Sequence, residues 1–232
     1  MYTQLFCGKA SIYEKGRPNI SREALDYLFS IIPTNAVFAD VGAGTGKFTS
    51  LIAKRGNFIY AVEPNDEMRT ILTNKLNKYR NVKILGTCAE KTGIPDQSVD
   101  VIVAATSLHW FDLSAFKLEC SRILKSGGII VAIYNPLKTE LRKVTKVYKD
   151  NIATDYLCKM GCKIIEFPNS LYYPRDRFIA YYLSHSSSPS PNDIEFTSAL
   201  RELNLKFDLY KIDDYYLFDF VTVMYICENF TE

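Results

Sequence analysis

The run Asp40-Val41-Gly42-Ala43-Gly44-Thr45-Gly46-Lys47 follows an apolar stretch and leads into a helix-like segment to Lys54. Three glycines at such a junction let the backbone turn sharply and approach a ligand closely, while the next helix offers its first N–H groups to negative charge. Two familiar loops of this kind do not match. A phosphate-cradling GxxxxGK[ST] loop counted back from Gly46-Lys47 needs glycine at Val41 and a metal-binding hydroxyl at Phe48. A dinucleotide GxGxxG starting at Gly42 needs glycine at Lys47. The observed GxGxG suits a ligand without a pyrophosphate. Glu63, 23 residues beyond Asp40, ends the next apolar run, where a carboxylate accepts hydrogen bonds from both hydroxyls of a ribose. A glycine loop beside that acid describes a nucleoside site.

The elements that must hold these residues are legible as an alternation. Apolar runs at Ala36 to Val41, Phe58 to Glu63, Val82 to Leu85, Val99 to Ala105 and Ile129 to Tyr134 read as strands. Helix-sized segments fill the gaps: Ser21 precedes Ala24, Leu25, Leu28 and Ile32, Asn65 precedes a helix to Tyr79, and Leu113, Phe116, Cys120 and Ile123 recur at helical spacing. Gly127-Gly128 is expected to stop the chain before the fifth strand. Near-continuous apolar strands joined by helical crossovers form a parallel sheet covered on both faces, a doubly wound α/β fold. After Pro136 the spacing predicts one long basic helix from Leu137 to Met160. A Tyr-rich segment broken by Pro168 and Pro174 follows, then a loop over Ser184 to Asn192 and a helix from Ile194 to Leu203. Tyr215 to Phe220 and Val221 to Cys227 are expected to pair as a final hairpin on the sheet edge.

Composition bounds the rest. The 232 residues allow one large domain or one domain with a lid, and 47% hydrophobic with 23% charged residues is ordinary globular usage. No stretch approaches the roughly 20 apolar residues that cross a bilayer, and the start lacks an apolar signal core, so the expectation is a cytoplasmic protein without membrane contact. Twenty-eight basic against 26 acidic residues leave a net charge of +2, too little to argue for nucleic acid. The six cysteines show no CxxC pair and neither histidine lies near the Cys158 and Cys162 spacing, so buried free thiols and no metal site are expected. Ten of the 16 tyrosines lie after residue 135, which places the aromatic excess in the second half.

With these pieces in order, the sequence resembles the class I S-adenosylmethionine-dependent methyltransferases, in particular the small-molecule group related to trans-aconitate methyltransferase. The resemblance runs from Ala10 to about Asn135 through YEKGRP at Tyr13 to Pro18, DVGAGTGKFT at Asp40 to Thr49 and AVEPNDEMR at Ala61 to Arg69. It continues with CAEKTGIPDQSVD at Cys88 to Asp100, SLHWFD at Ser107 to Asp112 and RILKSGGIIVAIYN at Arg122 to Asn135. It implies a Rossmann-like seven-stranded sheet of order 3-2-1-4-5-7-6 with strand 7 antiparallel, and S-adenosyl-L-methionine as cofactor. By the resemblance Gly42 and Gly44 lie under the methionine part and Asp40 fixes the loop or meets the amino group. Glu63 takes the ribose, while Pro64 and Met68 pack on the adenine. Cys88, Ala89 and Glu90 border the adenine edge, Ala105 lies beneath the sulfonium, and Tyr13 with Arg17 forms a cover in which Arg17 meets the cofactor carboxylate.

Methyl transfer from a sulfonium is an in-line displacement of a good leaving group, so alignment and water exclusion supply much of the rate without a dedicated acid or base. The loop after the fourth strand, Ala105-Thr106-Ser107-Leu108-His109, lacks both the Asn/Asp-Pro-Pro-aromatic run of amino-methylating enzymes of bases and a Pro-Cys nucleophile. His109 is the catalytic candidate as a neutral base, against the plainer reading that His109, Trp110 and Phe111 shape the pocket wall. Thr106, His109, Trp110, Tyr172, Tyr173 and Arg175 are the expected surroundings of the acceptor, with Tyr serving equally well as the core of a small lid.

The expected organisation is a cofactor core over residues 1–135, a lid over 136–192, and a final helix and strands over 193–232. The expected activity is methyl transfer to a small molecule, at a carboxylate or another oxygen. Two alternatives stay open: an RNA methyltransferase using Lys138, Arg142, Lys143, Lys146 and Lys149, and a non-catalytic protein that binds the nucleoside. Oligomeric state is not legible.

Overall fold

The computed structural model describes residues 8–139 and 152–228. Seven strands, β1 (Phe38–Val41), β2 (Ile59–Val62), β3 (Val82–Leu85), β4 (Val99–Ala105), β5 (Leu124–Tyr134), β6 (Lys163–Pro174) and β7 (Tyr215–Cys227), build one sheet. Its order is β3-β2-β1-β4-β5-β7-β6, as expected. The first five strands are parallel, and β7 runs antiparallel between β5 and β6.

Side-chain alternation along the strands divides the core between two faces. On one face Ala39, Val41, Ile102 and Ala132 meet Phe116, Cys120 and Ile123 of α5 (Leu113–Ile123) and Leu157 of α6 (Ile152–Lys159). On the other, Phe38, Val101, Val103, Val131 and Ile133 meet Leu25 and Leu28 of α2 (Arg22–Ser30) and Phe48 and Ile52 of α3 (Lys47–Arg55). Between β2 and β3 the crossover is α4 (Asp66–Leu76), whose Leu72 and Leu76 cover Ala43 and Ala61. Local caps explain where two of these helices begin. The Asn65 side chain accepts from Met68 N at the start of α4, and Asp112 accepts from Ser114 N and Ala115 N at the start of α5. Gly127 and Gly128 do not stop the chain before β5 but lie inside it. Val99 pairs with Leu124 while Val101 pairs with Ile129, so the glycines absorb a register shift, Gly127 with φ +75°.

The second half departs from the sequence expectations. Tyr215 to Phe220 and Val221 to Cys227 do not form a hairpin but one continuous strand, whose antiparallel partner is β6 along its whole length. Residues 163–174 therefore belong to the sheet rather than to an insertion. Pro168 and Pro174 read as breakers, yet β6 is the edge strand, where a missing N–H on the outer side leaves no ladder bond unmade. β5 pairs with β7 only over Val223 to Cys227, so the opposite halves of β6 and β7 project beyond the carboxyl end of β5. This arm carries α7 (Arg175–Leu183) and α8 (Phe196–Tyr210), packed through Tyr173, Phe178, Tyr181, Phe207, Phe218 and Phe220. Four of the late tyrosines, Tyr173, Tyr181, Tyr182 and Tyr216, thus belong to the core of the arm, and α8 is longer than the helix expected there.

Cys162 and Cys227, expected as free thiols, form a disulfide. Lys163 pairs with Ile226, which sets the preceding Cys162 opposite Cys227 with 4.3 Å between Cα atoms, the separation of directly facing strand residues. Cys120 is buried and free, whereas Cys88 and Cys158 are exposed, and Cys7 lies outside the described residues. Of the basic run, Lys138 pairs with Asp219, and Arg142, Lys143, Lys146 and Lys149 lie outside the described residues. Among the described residues no helix is long and apolar enough to cross a membrane.

Candidate cofactor-binding site

Parallel strands present their carboxyl ends to one side of the sheet, and where the order reverses from β1 to β4 a crevice opens between neighbouring crossovers. The glycine loop fills the floor of that crevice. Gly42, Gly44 and Gly46 all take the left-handed conformation, with φ of +72°, +56° and +76°. Gly42 also faces β4 so closely that a Cβ would lie 2.5 Å from Ser107 Cβ. Ser107 Oγ donates to Val41 O at 2.7 Å, which ties the ends of β1 and β4 beneath the loop.

Glu63 is buried and spans two structures. Its Oε2 accepts from Gly44 N and its Oε1 from Asn65 N, each at 2.8 Å, so one carboxylate joins the loop to the start of α4. Arg69 braces it from behind by donating to Glu63 O at 2.9 Å. Burial pushes the Glu63 carboxyl up, and the two N–H groups and Arg69 pull it back. Each oxygen keeps a lone pair for a further donor.

Asp40 stands behind the loop rather than in the open crevice. Its Oδ2 accepts from Thr49 Oγ1 at 2.6 Å, while Oδ1 is buried and has no hydrogen-bond partner. Burial pushes this carboxyl up to about 7, with the Thr49 bonds opposing and the Glu63 charge reinforcing the shift. Thr45 Oγ1 is likewise buried and without a partner. Two unpartnered polar atoms under a glycine cradle fit a ligand that brings polar groups to the loop.

A cavity of about 670 Å³ opens above this floor. Of the residues expected at the cofactor, Tyr13, Arg17, Gly42, Gly44, Glu63, Pro64, Met68, Cys88, Ala89 and Glu90 line it. Ala105 lines instead a smaller adjoining cavity of about 70 Å³, which Tyr13, Arg17, Gly42 and Thr106 share. The expected acceptor residues divide. Thr106, His109 and Trp110 line the large cavity; Tyr172, Tyr173 and Arg175 do not. Alternation along β6 turns Tyr172 outward, 62% exposed, and Tyr173 inward, fully buried against Phe218. Arg175 pairs with Asp208 and lies over the Phe207 ring, so it braces α8 against α7.

The cover comes from two segments far apart in sequence. Tyr13 and Arg17 lie on and just after α1 (Ala10–Gly16), which approaches α7 so closely that a Cβ on Gly16 would meet Ala180 C at 2.3 Å. Facing them is the turn after α7. Arg17 Nη2 donates to Ser184 O at 3.4 Å, and Lys9 Nζ donates to His185 O at 3.1 Å and to Ser188 O. Arg17 makes no ion pair among the described residues, and its Nε is buried without a partner. His109 lies in a short 3₁₀ turn, Leu108–Trp110, with its ring 4.6 Å from Trp110. Burial, and then the Arg17 charge, push His109 down to about 4.

Phe111, expected in the pocket wall, lines it too, and six further lining residues were not singled out from sequence: Asn65, Ser107, Asp112, His185, Ser186 and Ser187. The first three were within reach, as a cap or as members of the SLHWFD motif. His185 to Ser187 lie in a stretch read only as a loop, and nothing local places it over the first strand.

Residues 39–132 match the family model described as a methyltransferase domain. An uncharacterized methyltransferase of Mycobacterium tuberculosis is 36% identical over 130 residues, 56% of this chain and 51% of that protein. The chain spans about half the length of the curated relatives it matches. Among solved structures, the YcgJ protein of Bacillus subtilis superposes with a TM-score of 0.57 at 13% identity, covering 89% of this chain and 99% of that one. Geranyl diphosphate C-methyltransferase from Streptomyces coelicolor A3(2), solved with Mg²⁺, geranyl diphosphate and S-adenosyl-L-homocysteine, superposes with a TM-score of 0.52 at 17% identity, covering 89% and 75%. At these identities the likeness to solved structures is one of fold. Residues 39–132 are thus similar to a methyltransferase domain, and they lie within a doubly wound α/β sheet shared with these structures.

Proposed function

We propose that this chain is a class I S-adenosylmethionine-dependent methyltransferase that transfers a methyl group to an oxygen of a small molecule, with a resemblance to the trans-aconitate methyltransferase group. The observation that carries this reading is that the Gly42-Gly44 cradle, the Glu63 carboxylate and Thr106, His109 and Trp110 all line a single cavity. The cofactor is S-adenosylmethionine; Gly42 and Gly44 hold its methionine part, Glu63 its ribose, and Pro64, Met68, Cys88, Ala89 and Glu90 its adenine. The unpartnered Asp40 Oδ1 accepts from its amino group directly or through a water, and Arg17 meets its carboxylate. When bound, the cofactor supplies an electrophilic methyl group on a sulfonium whose departure leaves a neutral thioether.

The chain's own part is to align and to dry the site. A cavity of about 670 Å³ lies within the usual range for small-ligand sites and has room for the nucleoside and a compact acceptor. Tyr13, Arg17 and the turn after α7 close over it and exclude water, so that turn is the part of the expected 136–192 lid that covers the site. Trp110, Phe111 and a neutral His109 form an acceptor wall without a fixed charge. A net charge of +2 favours a small acceptor over RNA.

Calorimetry with S-adenosylhomocysteine tests the cofactor, and transfer of radiolabelled methyl to a metabolite panel tests the activity. Binding without turnover of any acceptor would favour the non-catalytic reading. No binding to the folded protein would remove the proposal altogether.

A further inference from the structure

Resting on the methyl-transfer reading above, we infer that His185 is a catalytic residue that takes a proton from the acceptor, and that the acceptor is therefore a hydroxyl compound, an alcohol, phenol or enol, rather than a carboxylate. Both histidines of the chain line the large cavity, His109 from the end of β4 and His185 from the turn after α7. They differ in what holds their rings.

The Nδ1 of His185 lies 3.1 Å from Tyr182 O. A carbonyl oxygen only accepts, so Nδ1 carries the hydrogen and donates it, and Nε2 is left with a bare lone pair. Tyr181 packs edge-on against the ring at 4.9 Å and 88°, and Lys9 Nζ fixes the same residue's carbonyl at 3.1 Å. Tautomer, ring plane and backbone are thus all set. His109 has no such anchor: among the described residues no hydrogen bond fixes either ring nitrogen, and its ring rests on Trp110 at 4.6 Å. His109 therefore has no fixed tautomer, and burial with the Arg17 charge pushes it down to about 4.

The groups that set the titration of His185 come from each element around it. Burial lowers it, as do Arg17, which follows α1, and Lys9, while the carbonyls of Tyr182 and Tyr181 on α7 raise it by accepting from the imidazolium. The ring is therefore neutral at neutral pH, and the two carbonyls accept from the imidazolium it becomes when a proton arrives. A carboxylate acceptor, already ionised, has no proton to give and no use for this arrangement. A hydroxyl does.

The step balances as follows. The Nε2 lone pair takes the hydroxyl proton, the electron pair of the O–H bond stays on oxygen, and oxygen forms the new bond to the methyl carbon. The carbon–sulfur pair remains on sulfur. The products are a methyl ether, S-adenosylhomocysteine and a His185 imidazolium, which returns its proton to water when the lid opens.

The test begins with ¹⁵N NMR of histidine-labelled protein bound to S-adenosylhomocysteine. The expected spectrum has His185 protonated at Nδ1 and bare at Nε2 at neutral pH; an Nε2–H tautomer overturns the inference. The second arm measures labelled methyl transfer to 2-naphthol and to 2-naphthoate. His185→Gln should lower kcat for 2-naphthol by roughly 10²- to 10⁴-fold and abolish the acidic limb of its pH profile, with S-adenosylhomocysteine affinity unchanged. Transfer to 2-naphthoate alone, or a kcat for 2-naphthol unaffected by the substitution, overturns it. Loss of S-adenosylhomocysteine binding by the unaltered chain is a separate outcome, because it fails the methyl-transfer reading rather than the role of His185.

Discussion

Glu63→Gln is the perturbation that reaches furthest into the site. The carboxylate accepts one N–H from the glycine loop and one from the start of α4, both at 2.8 Å, the first partly buried and the second buried. Glutamine keeps a single acceptor oxygen and turns an NH₂ group toward the other N–H. One buried donor then loses its partner, at a cost of about 1 to 3 kcal/mol. In a chain of this length each kcal/mol moves Tm by roughly 2 to 4 °C, so the variant should melt roughly 2 to 12 °C lower. Losing one hydrogen bond from a ribose hydroxyl to a charged acceptor costs about 1.5 to 3 kcal/mol, which weakens S-adenosylhomocysteine by roughly 10- to 100-fold. Thermal melts by circular dichroism and calorimetric titration read the two effects separately. A comparison of methylthioadenosine with its 2′-deoxy analogue isolates the ribose contribution: the unaltered chain should prefer the ribose form, and the variant should lose most of that preference. An unchanged preference would refute the assignment of Glu63 to the ribose even if the variant binds more weakly, because loop disorder alone would weaken both ligands alike.

Gly42→Ala and Gly56→Ala both place a side chain at positive φ, which costs about 1 to 2 kcal/mol each. Only the first also brings a Cβ to 2.5 Å from Ser107 Cβ, so S-adenosylhomocysteine titration should show binding abolished in Gly42→Ala and retained in Gly56→Ala, where nothing lies within 4 Å. The Asp40 carboxyl, raised to about 7, keeps a proton in the folded chain that the unfolded chain releases near its ordinary 3.8. Its contribution therefore favours the folded state at low pH and is lost as pH rises through about 7. Urea unfolding should show Asp40→Asn gaining stability relative to the unaltered chain between about pH 4 and about pH 7, and a constant difference across that window would contradict the burial argument. Peptide mapping without reductant should recover Cys162 joined to Cys227. Closing a loop of sequence separation 65 is worth about 4 kcal/mol by chain entropy, so Cys227→Ser should lower the urea midpoint measurably if the bond forms.

How much of this was legible in the amino-acid order follows from the range of the interactions involved. The five parallel strands and the crossover helices are patterned locally, by near-continuous apolar runs and helical stripes separated by caps such as Asn65 and Asp112, whereas the strand order was implied by the family resemblance. The tyrosines misled. Tyr172, Tyr173 and Arg175 looked like a ligand-binding cluster because Pro168 and Pro174 hid an edge strand whose alternation, once seen, sends one tyrosine to solvent and the other to the core.

The sequence by itself determined the floor of the site. Gly42, Gly44 and Gly46 must follow a strand to do what positive φ allows, and Glu63 ends the next strand, so both lie at adjacent strand ends by chain geometry alone. Tertiary structure alone decided the cover. Lys9 reaches the turn after α7 across 176 residues, the β6 and β7 register sets Cys162 against Cys227, and the projecting arm carries His185 to the cavity edge. Those relations depend on how separate elements stack and slide against one another, and no local period or cap in the chain records them.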